Sequence, residues 1–455
     1  MKKLASILKN KEIMGRIVFT IMILLIFRIG AQIPVPGASI AEGSQLQSYL
    51  QGNNALSIMN LLGGGTLQSF SIFALGVSPY ITAQIIVQLL ATDVLPALTD
   101  LKRQGQYGRK KMELATRYLA LLLGAVQAYG IIKTMESSEF VTFQAADPSW
   151  LTYVYVVIVL LAGSMLVMWL GDQISTKGIG NGISMIIFAG IVSSLPSQMS
   201  SAFTTWVSNG FITGMDSKAV AGIFKFVLYV LSYLLIIAFV TWTELAKRKI
   251  PVQHSGKGGG QTASMAKASF LPIKINSAGV IPVIFASSIL TAPSVIVAFI
   301  DADSSNAEWL KIFSTTEMYQ MGENFAMPWG LIIYLVLTVA FTFFYANMQI
   351  APDQLAENFQ KNGSYIPGIR PGNETERYVR KVLNRVTVLG AISLALIAAL
   401  PPILTLTGVF NGNNSLALGG TGMIIVVGVA LELNSQIDGL LAGKSFDEVV
   451  AAGGQ

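Results

Sequence analysis

The chain has 455 residues, 53% of them hydrophobic and 12% charged, with a mean hydropathy of +0.60. That composition excludes a soluble globular domain and leaves no room for a separate soluble catalytic domain beside membrane spans and short loops. The net charge is +6, and the absence of cysteine removes disulfides, thiolate nucleophiles and Cys-ligated metals; the single histidine, His254, builds no histidine metal site alone.

The opening residues, MKKLASILKNKEIMGR, put Leu4, Ile7 and Leu8 on one face among lysines, the pattern of a short amphipathic helix on a membrane surface. An apolar run from Ile17 to Ile33 follows. Arg28 interrupts it, no small-residue cleavage pattern comes after it, and Ile33-Pro34-Val35-Pro36-Gly37 stops the helix, which predicts a retained first span. Further spans are predicted at Phe73–Leu90, Tyr118–Ile132, Tyr153–Leu170, Ile183–Leu195, Ile223–Trp242, Ala278–Ile300, Trp329–Met348, Val386–Ile403 and Gly419–Leu433, making ten, five per half. The third reads as extending back to Leu114 and the fifth as a half-length helix. The halves divide into residues 1–215 and 216–455.

The second span is broken. Gly63, Gly64 and Gly65 interrupt the chain, Thr66 is placed to cap a short helix through Ala74, and a second apolar helix starts near Val77 with Pro79 in its first turn. Glycines and the polar Thr66, Gln68, Ser69 and Ser71 suit a segment lying in a cavity rather than against lipid. Gly76-Val77-Ser78-Pro79-Tyr80-Ile81-Thr82-Ala83 returns as Gly279-Val280-Ile281-Pro282-Val283-Ile284-Phe285-Ala286, the pattern G-V-x-P-x-I-x-A at the start of the second span of each half. Two related halves meeting at a central site account for it, as does chance recurrence of a Gly-Pro helix start.

Basic residues fall in alternate loops. Lys2, Lys3 and Lys9, then Lys102, Arg103 and Arg109, then Lys247, Arg248 and Lys249, then Arg370, Arg377 and Arg380 mark one side; the other holds Lys133, Lys218 and Lys311 among acids such as Glu136 and Asp301. Both termini are therefore expected in the cytoplasm, and an even number of spans keeps the alternation in phase. Two basic loops, Thr243–Asn276 and Gln349–Arg385, exceed what a helix connection needs and read as docking surfaces.

Chemistry is sparse. Gly256-Lys257-Gly258-Gly259-Gly260-Gln261-Thr262 lacks the order of a phosphate-binding loop, and Gly178-Ile179-Gly180-Asn181-Gly182 reads as a tight hairpin feeding a helix. Leu170-Gly171-Asp172 resembles half of an intramembrane aspartyl protease site, but no second carboxylate occurs at that depth. No enzyme activity and no cofactor are expected. The centre of the bundle carries no charge, whereas an ion-coupled carrier normally keeps one there, so a five-plus-five secondary transporter is the second reading. Val77 and Ile81, Ile183 and Ile187, and Val280 and Ile284 are each one turn apart and share a face. Spacing alone is what ordinary bundle packing or lipid contact also produces, and periodicity does not tell a pore lining from a core.

Six motifs in order resemble the SecY subunit of the bacterial Sec protein-translocation channel, the counterpart of the Sec61 alpha subunit. They are Phe27-Arg28-Ile29-Gly30 through Gly37, Phe73-Ala74-Leu75-Gly76 with Pro79-Tyr80-Ile81, Gly178-Ile179-Gly180-Asn181-Gly182-Ile183-Ser184, Arg248-Lys249-Ile250-Pro251-Val252-Gln253, Gly279-Val280-Ile281-Pro282, and Ile366-Pro367-Gly368-Ile369-Arg370-Pro371-Gly372. The resemblance implies an all-α polytopic channel of ten spans in two pseudo-symmetric halves around a central pore. It implies a pore ring at Val77, Ile81, Ile183, Ile187, Ile284 and Ile425. A plug helix is implied over about Leu62 to Ala74, including Gly63, Gly64, Gly65, Thr66, Leu67, Ser69, Phe70 and Ser71. Unfolded secretory chains would cross, and apolar segments would leave sideways into lipid between the second and seventh spans. Arg248, Lys249 and Arg370 would dock a SecA-type ATPase motor or the ribosome. SecE-like and SecG-like small subunits, signal sequences and membrane lipid are the other implied partners, at a bacterial plasma membrane.

Overall fold

The computed structural model describes residues 10–40, 60, 63–91, 95–137, 140–143, 150–208, 217–254, 269–300, 308–315, 318–320, 326–406 and 420–453. The amphipathic segment over Leu4–Leu8, Leu62 at the start of the plug, and the Gly256–Thr262 loop tip lie outside the described residues.

Each predicted span is met by a helix. In order these are α1 (Lys11–Gly30), α2 (Ser78–Leu90), α4 (Gln106–Ser137), α5 (Trp150–Lys177), α6 (Gly182–Phe203), α7 (Ser217–Leu245), α8 (Ile281–Ile300), α9 (Trp329–Ile350), α11 (Asn373–Leu406) and α12 (Gly420–Gly453), with short α3 (Pro96–Arg103) and α10 (Pro352–Lys361) between them. Asn10 starts α1 by accepting from the Glu12 amide, and Asn181 starts α6 by accepting from the Ile183 and Ser184 amides. Among the described residues, eight helices are long and apolar enough to cross a membrane, while the apolar stretches Ser78–Leu90 and Ile281–Leu290 are shorter. Helix α8 itself runs 20 residues, and α2 and α8 are the two opened by G-V-x-P-x-I-x-A.

Several boundaries differ from the sequence expectation. The fifth span is no half helix: α6 runs 22 residues and accommodates Pro196 inside it. The third begins at Gln106, well before Leu114. Apolarity marks only the lipid-spanning part of a helix, and polar continuations such as Asn373–Arg385 of α11, expected as loop, are helical through capping acids and i,i+4 pairs such as Glu376–Arg380 at 2.7 Å.

Among the described residues, seven short strands complete the fold: β1 (Ala38–Ile40), β2 (Val141–Phe143), β3 (Lys247–His254), β4 (Ser269–Lys274), β5 (Tyr319–Gln320), β6 (Ala326–Met327) and β7 (Ser364–Tyr365). Strand β3 pairs antiparallel with β4, Lys247 facing Lys274, and its far end pairs with β7, His254 facing Ser364. Three apolar clusters form the core. One draws only on residues 35–160, a second only on residues 195–431, and the largest joins α1, α2, α5 and α6 to α8, α9, α11 and α12.

Candidate functional site: an aliphatic cluster and the loop beside it

Helices α2 and α8 begin in the same way. Gly76 and Gly279 adopt φ of +53° and +65°, a left-handed conformation that costs glycine least, and three residues later Pro79 and Pro282 enter the first helical turn. The bend turns the start of each helix into the largest apolar cluster. Val77 and Ile81 from α2, Ile187 from α6 and Ile425 from α12 are buried there, with Ile183 of α6 and Ile284 of α8 half-buried against them. All six side chains named by motif position therefore belong to one cluster, contributed by four elements. Branched aliphatics from opposing helices form a surface that holds no water by hydrogen bonding and yields to side chains of differing shape.

The expected helix over Thr66–Ala74 is absent. Residues 64–77 run as consecutive turns, with i→i+3 bonds from Phe70 to Leu67, Ala74 to Ser71 and Gly76 to Phe73. Left-handed backbone at Gly64, Gly65 and Phe70 (φ +76°, +83° and +39°) prevents a helical run. Thr66 caps no helix: its Oγ1 donates within the loop to the carbonyls of Gly63 at 3.0 Å and Phe73 at 2.7 Å. Thr66, Leu67, Phe70 and Ser71 are almost fully buried. Leu67 and Phe70 pack with Ile131, Ile132, Val156 and Leu160 of α4 and α5.

The loop is tied to the end of α1. Phe70 O accepts from the Val35 amide, Ile72 N donates to Ile33 O, Ser69 Oγ donates to Ala31 O at 3.0 Å, and Arg28 Nη1 donates to Gly64 O at 3.3 Å. Against α6 the contact is of another kind. A Cβ on Gly190 would lie 2.1 Å from Gly64 Cα, so two backbones touch with no side chain between them.

Sequence reasoning missed two polar links at the same cluster. Tyr345 Oη of α9 donates to Gln88 Oε1 of α2 at 2.7 Å, while the Tyr345 ring meets Phe285 of α8 edge-on at 5.3 Å. Gly180 N donates to Gln436 Oε1 of α12 at 2.8 Å. Nothing in spacing signals such pairs, which arise only once distant helices meet.

The two basic loops also come together. Lys247, Arg248 and Lys249 are exposed on β3, while Ile250 and Val252 are buried beneath them. Arg370 is exposed on the turn after β7; its amide donates to Glu374 Oε2 at 3.4 Å and its carbonyl accepts from Thr375 Oγ1 at 2.9 Å, which fixes the backbone and leaves the guanidinium outside. Asp172 is held by Arg117 at 2.8 Å, and among the described residues no group of three or more metal-type ligands assembles.

Ten helices arranged about an aliphatic cluster, with an irregular loop packed beside it, define a polytopic helical channel. The same fold occurs in two solved structures that each cover 94% of this chain and are covered by it over 92% of theirs. One is a SecY protein whose plug domain stabilises the closed translocation channel and maintains a membrane seal, with TM-score 0.65 and 19% identity. The other is Sec61 in a canine ribosome-channel complex from the endoplasmic reticulum, with TM-score 0.62 and 18% identity. The SecY family model matches residues 71–434, and the protein translocase subunit SecY 1 of Lactobacillus kefiranofaciens subsp. kefiranofaciens is 41% identical over 444 residues, 97% of this chain and 98% of that protein. The chain belongs to the SecY family.

Proposed function

We infer that this chain is the central subunit of a protein-conducting channel that passes unfolded secretory polypeptides across the bacterial plasma membrane and releases apolar segments sideways into lipid. The observation that carries the reading is the convergence of Val77, Ile81, Ile183, Ile187, Ile284 and Ile425 in one cluster between residues 1–215 and 216–455. An aliphatic ring resists water and ions by dewetting and binds no particular polar cargo, which suits a pathway for arbitrary sequence. The 63–71 loop serves as the plug. Helices α2 and α8, the pair opened by G-V-x-P-x-I-x-A, form the lateral exit. The channel is passive: a SecA-type motor or a ribosome docks on Arg248, Lys249 and Arg370, and SecE-like and SecG-like subunits complete the complex. Both termini face the cytoplasm with these basic loops.

The test uses the natural lack of cysteine. A single Ile187→Cys variant is paired with a secretory precursor that carries one cysteine and is stalled midway by a folded C-terminal domain. Oxidation yields a disulfide-linked adduct that depends on a functional signal sequence. Absence of an adduct at Ile187, Ile81 and Ile284 while transport proceeds overturns the ring.

A further inference from the structure

We propose that Glu244 and Asn276 are positioning residues that couple the basic β3–β4 hairpin to helix α8, so that a load on the hairpin reaches one wall of the constriction. The inference rests on the docking reading of Arg248 and Lys249. Glu244 is the penultimate residue of α7 and stands just before β3; Asn276 stands two residues after β4. Asn276 Nδ2 donates to Glu244 Oε1 at 2.6 Å, and both residues are more than nine-tenths buried. Beside them Ile275 N donates to Ala246 O at 2.9 Å, so the two ends of the hairpin are tied twice at its base. Behind this base stands α11, where a Cβ on Gly390 would lie 2.4 Å from Ile275 O. The base cannot recede in that direction.

A buried hydrogen bond to a carboxyl oxygen is stiff, because breaking it strands a polar group inside the protein. The hairpin consequently moves as one body. Beyond Asn276 the chain runs through Ser277 and fully buried Ala278 to Gly279, whose left-handed backbone has open space around it. That glycine is the first joint after the tie, and α8, carrying Ile284, starts two residues later. Without the tie, a load on Arg248 and Lys249 would open the hairpin base; with it, the load arrives at Gly279 and turns α8.

The experiment uses the full channel complex in lipid vesicles with a motor ATPase, reading motor Kd and the maximal rate of precursor transport. Asn276→Ala and Glu244→Ala lower the maximal rate about tenfold while Kd stays within about twofold. Glu244→Gln keeps an acceptor oxygen in place and recovers most of the rate. Arg248→Glu, measured alongside, weakens Kd and checks the docking reading separately. If Asn276→Ala changes neither quantity, if Kd weakens in step with rate, or if Glu244→Gln is as impaired as Glu244→Ala, the coupling is overturned. Recovery of assembled complex is measured for each variant, and Asn276→Ser, a smaller change, carries the same readout should the alanine variants fail to assemble.

Discussion

Replacing Gly190 by alanine tests the seal directly. The added Cβ would lie 2.1 Å from Gly64 Cα, 3.1 Å from Gly64 C and 3.2 Å from Gly64 N, against 3.4 Å for ordinary contact, so the nearest pair must separate by about 1.3 Å. Every atom concerned is backbone, and no side chain can rotate away to make room. Gly64 sits at φ +76° in a buried loop, whereas Gly190 is held in the middle of α6, so the loop is the partner that yields. Overpacking of this kind costs about 1–3 kcal/mol, which shifts an equilibrium between seated and displaced loop by about 5- to 150-fold. The assay is ion conductance of the purified complex in planar bilayers without precursor, with Gly15→Ala of α1 as control, since a Cβ there meets nothing within 4 Å. The expected result is a raised resting conductance for Gly190→Ala alone. Unchanged conductance in an assembled complex refutes the argument that this contact keeps the channel shut.

Arg370→Glu leaves folding within about 0.5 kcal/mol, because the side chain is exposed, yet abolishes motor-driven transport; normal transport in vesicles would remove Arg370 from the docking surface. Thr66→Val removes the donor to Gly63 O and Phe73 O from a buried site and destabilises the loop by about 1–3 kcal/mol, read as a lower thermal unfolding midpoint and greater resting leak. Tyr345→Phe removes the bond to Gln88 with the ring retained. A net loss of about 0.5–1.5 kcal/mol between α9 and α2 favours separation by roughly two- to twelvefold, so precursors with weakened signal sequences are transported faster; no gain for such precursors counts against that bond restraining the lateral exit.

What the sequence made legible follows from range. Runs of apolar residues mark lipid-facing helices locally, so all ten spans are readable, and the two G-V-x-P starts are readable because Gly76, Pro79 and their repeats act on their own backbone. The six aliphatic positions are readable as faces, but their meeting in one cluster depends on how α2, α6, α8 and α12 cross. The stretch from Thr66 to Ala74 reads as a helix because Thr66 resembles an N-cap; its actual acceptors include Phe73 O, seven residues away. Pairing of β3 with β7 joins residues more than a hundred positions apart, and no local pattern in Gln253-His254 or Ser364-Tyr365 announces it. The Gly64–Gly190 approach is equally silent, since a glycine in a helix reads only as a weak position.

The uneven fastening of the 64–77 loop sets how it can move. Backbone and side-chain bonds from Arg28, Ala31, Ile33 and Val35 all lie on the α1 side, and Leu67 and Phe70 are anchored in the cluster with α4 and α5. Toward α6, Gly64 meets Gly190 backbone to backbone, and Phe73 and Val77 share an apolar cluster with Ile187 and Ile191. One margin is therefore fastened by hydrogen bonds and the other by apolar contact. Because the loop's own bonds close on themselves, from Thr66 to Phe73 and from Ser71 to Thr66, it can swing as a finished piece without unravelling. If the loop is the plug, as proposed, a chain pushing between it and α6 has only apolar contacts to part, while the hydrogen bonds on the α1 side stay intact.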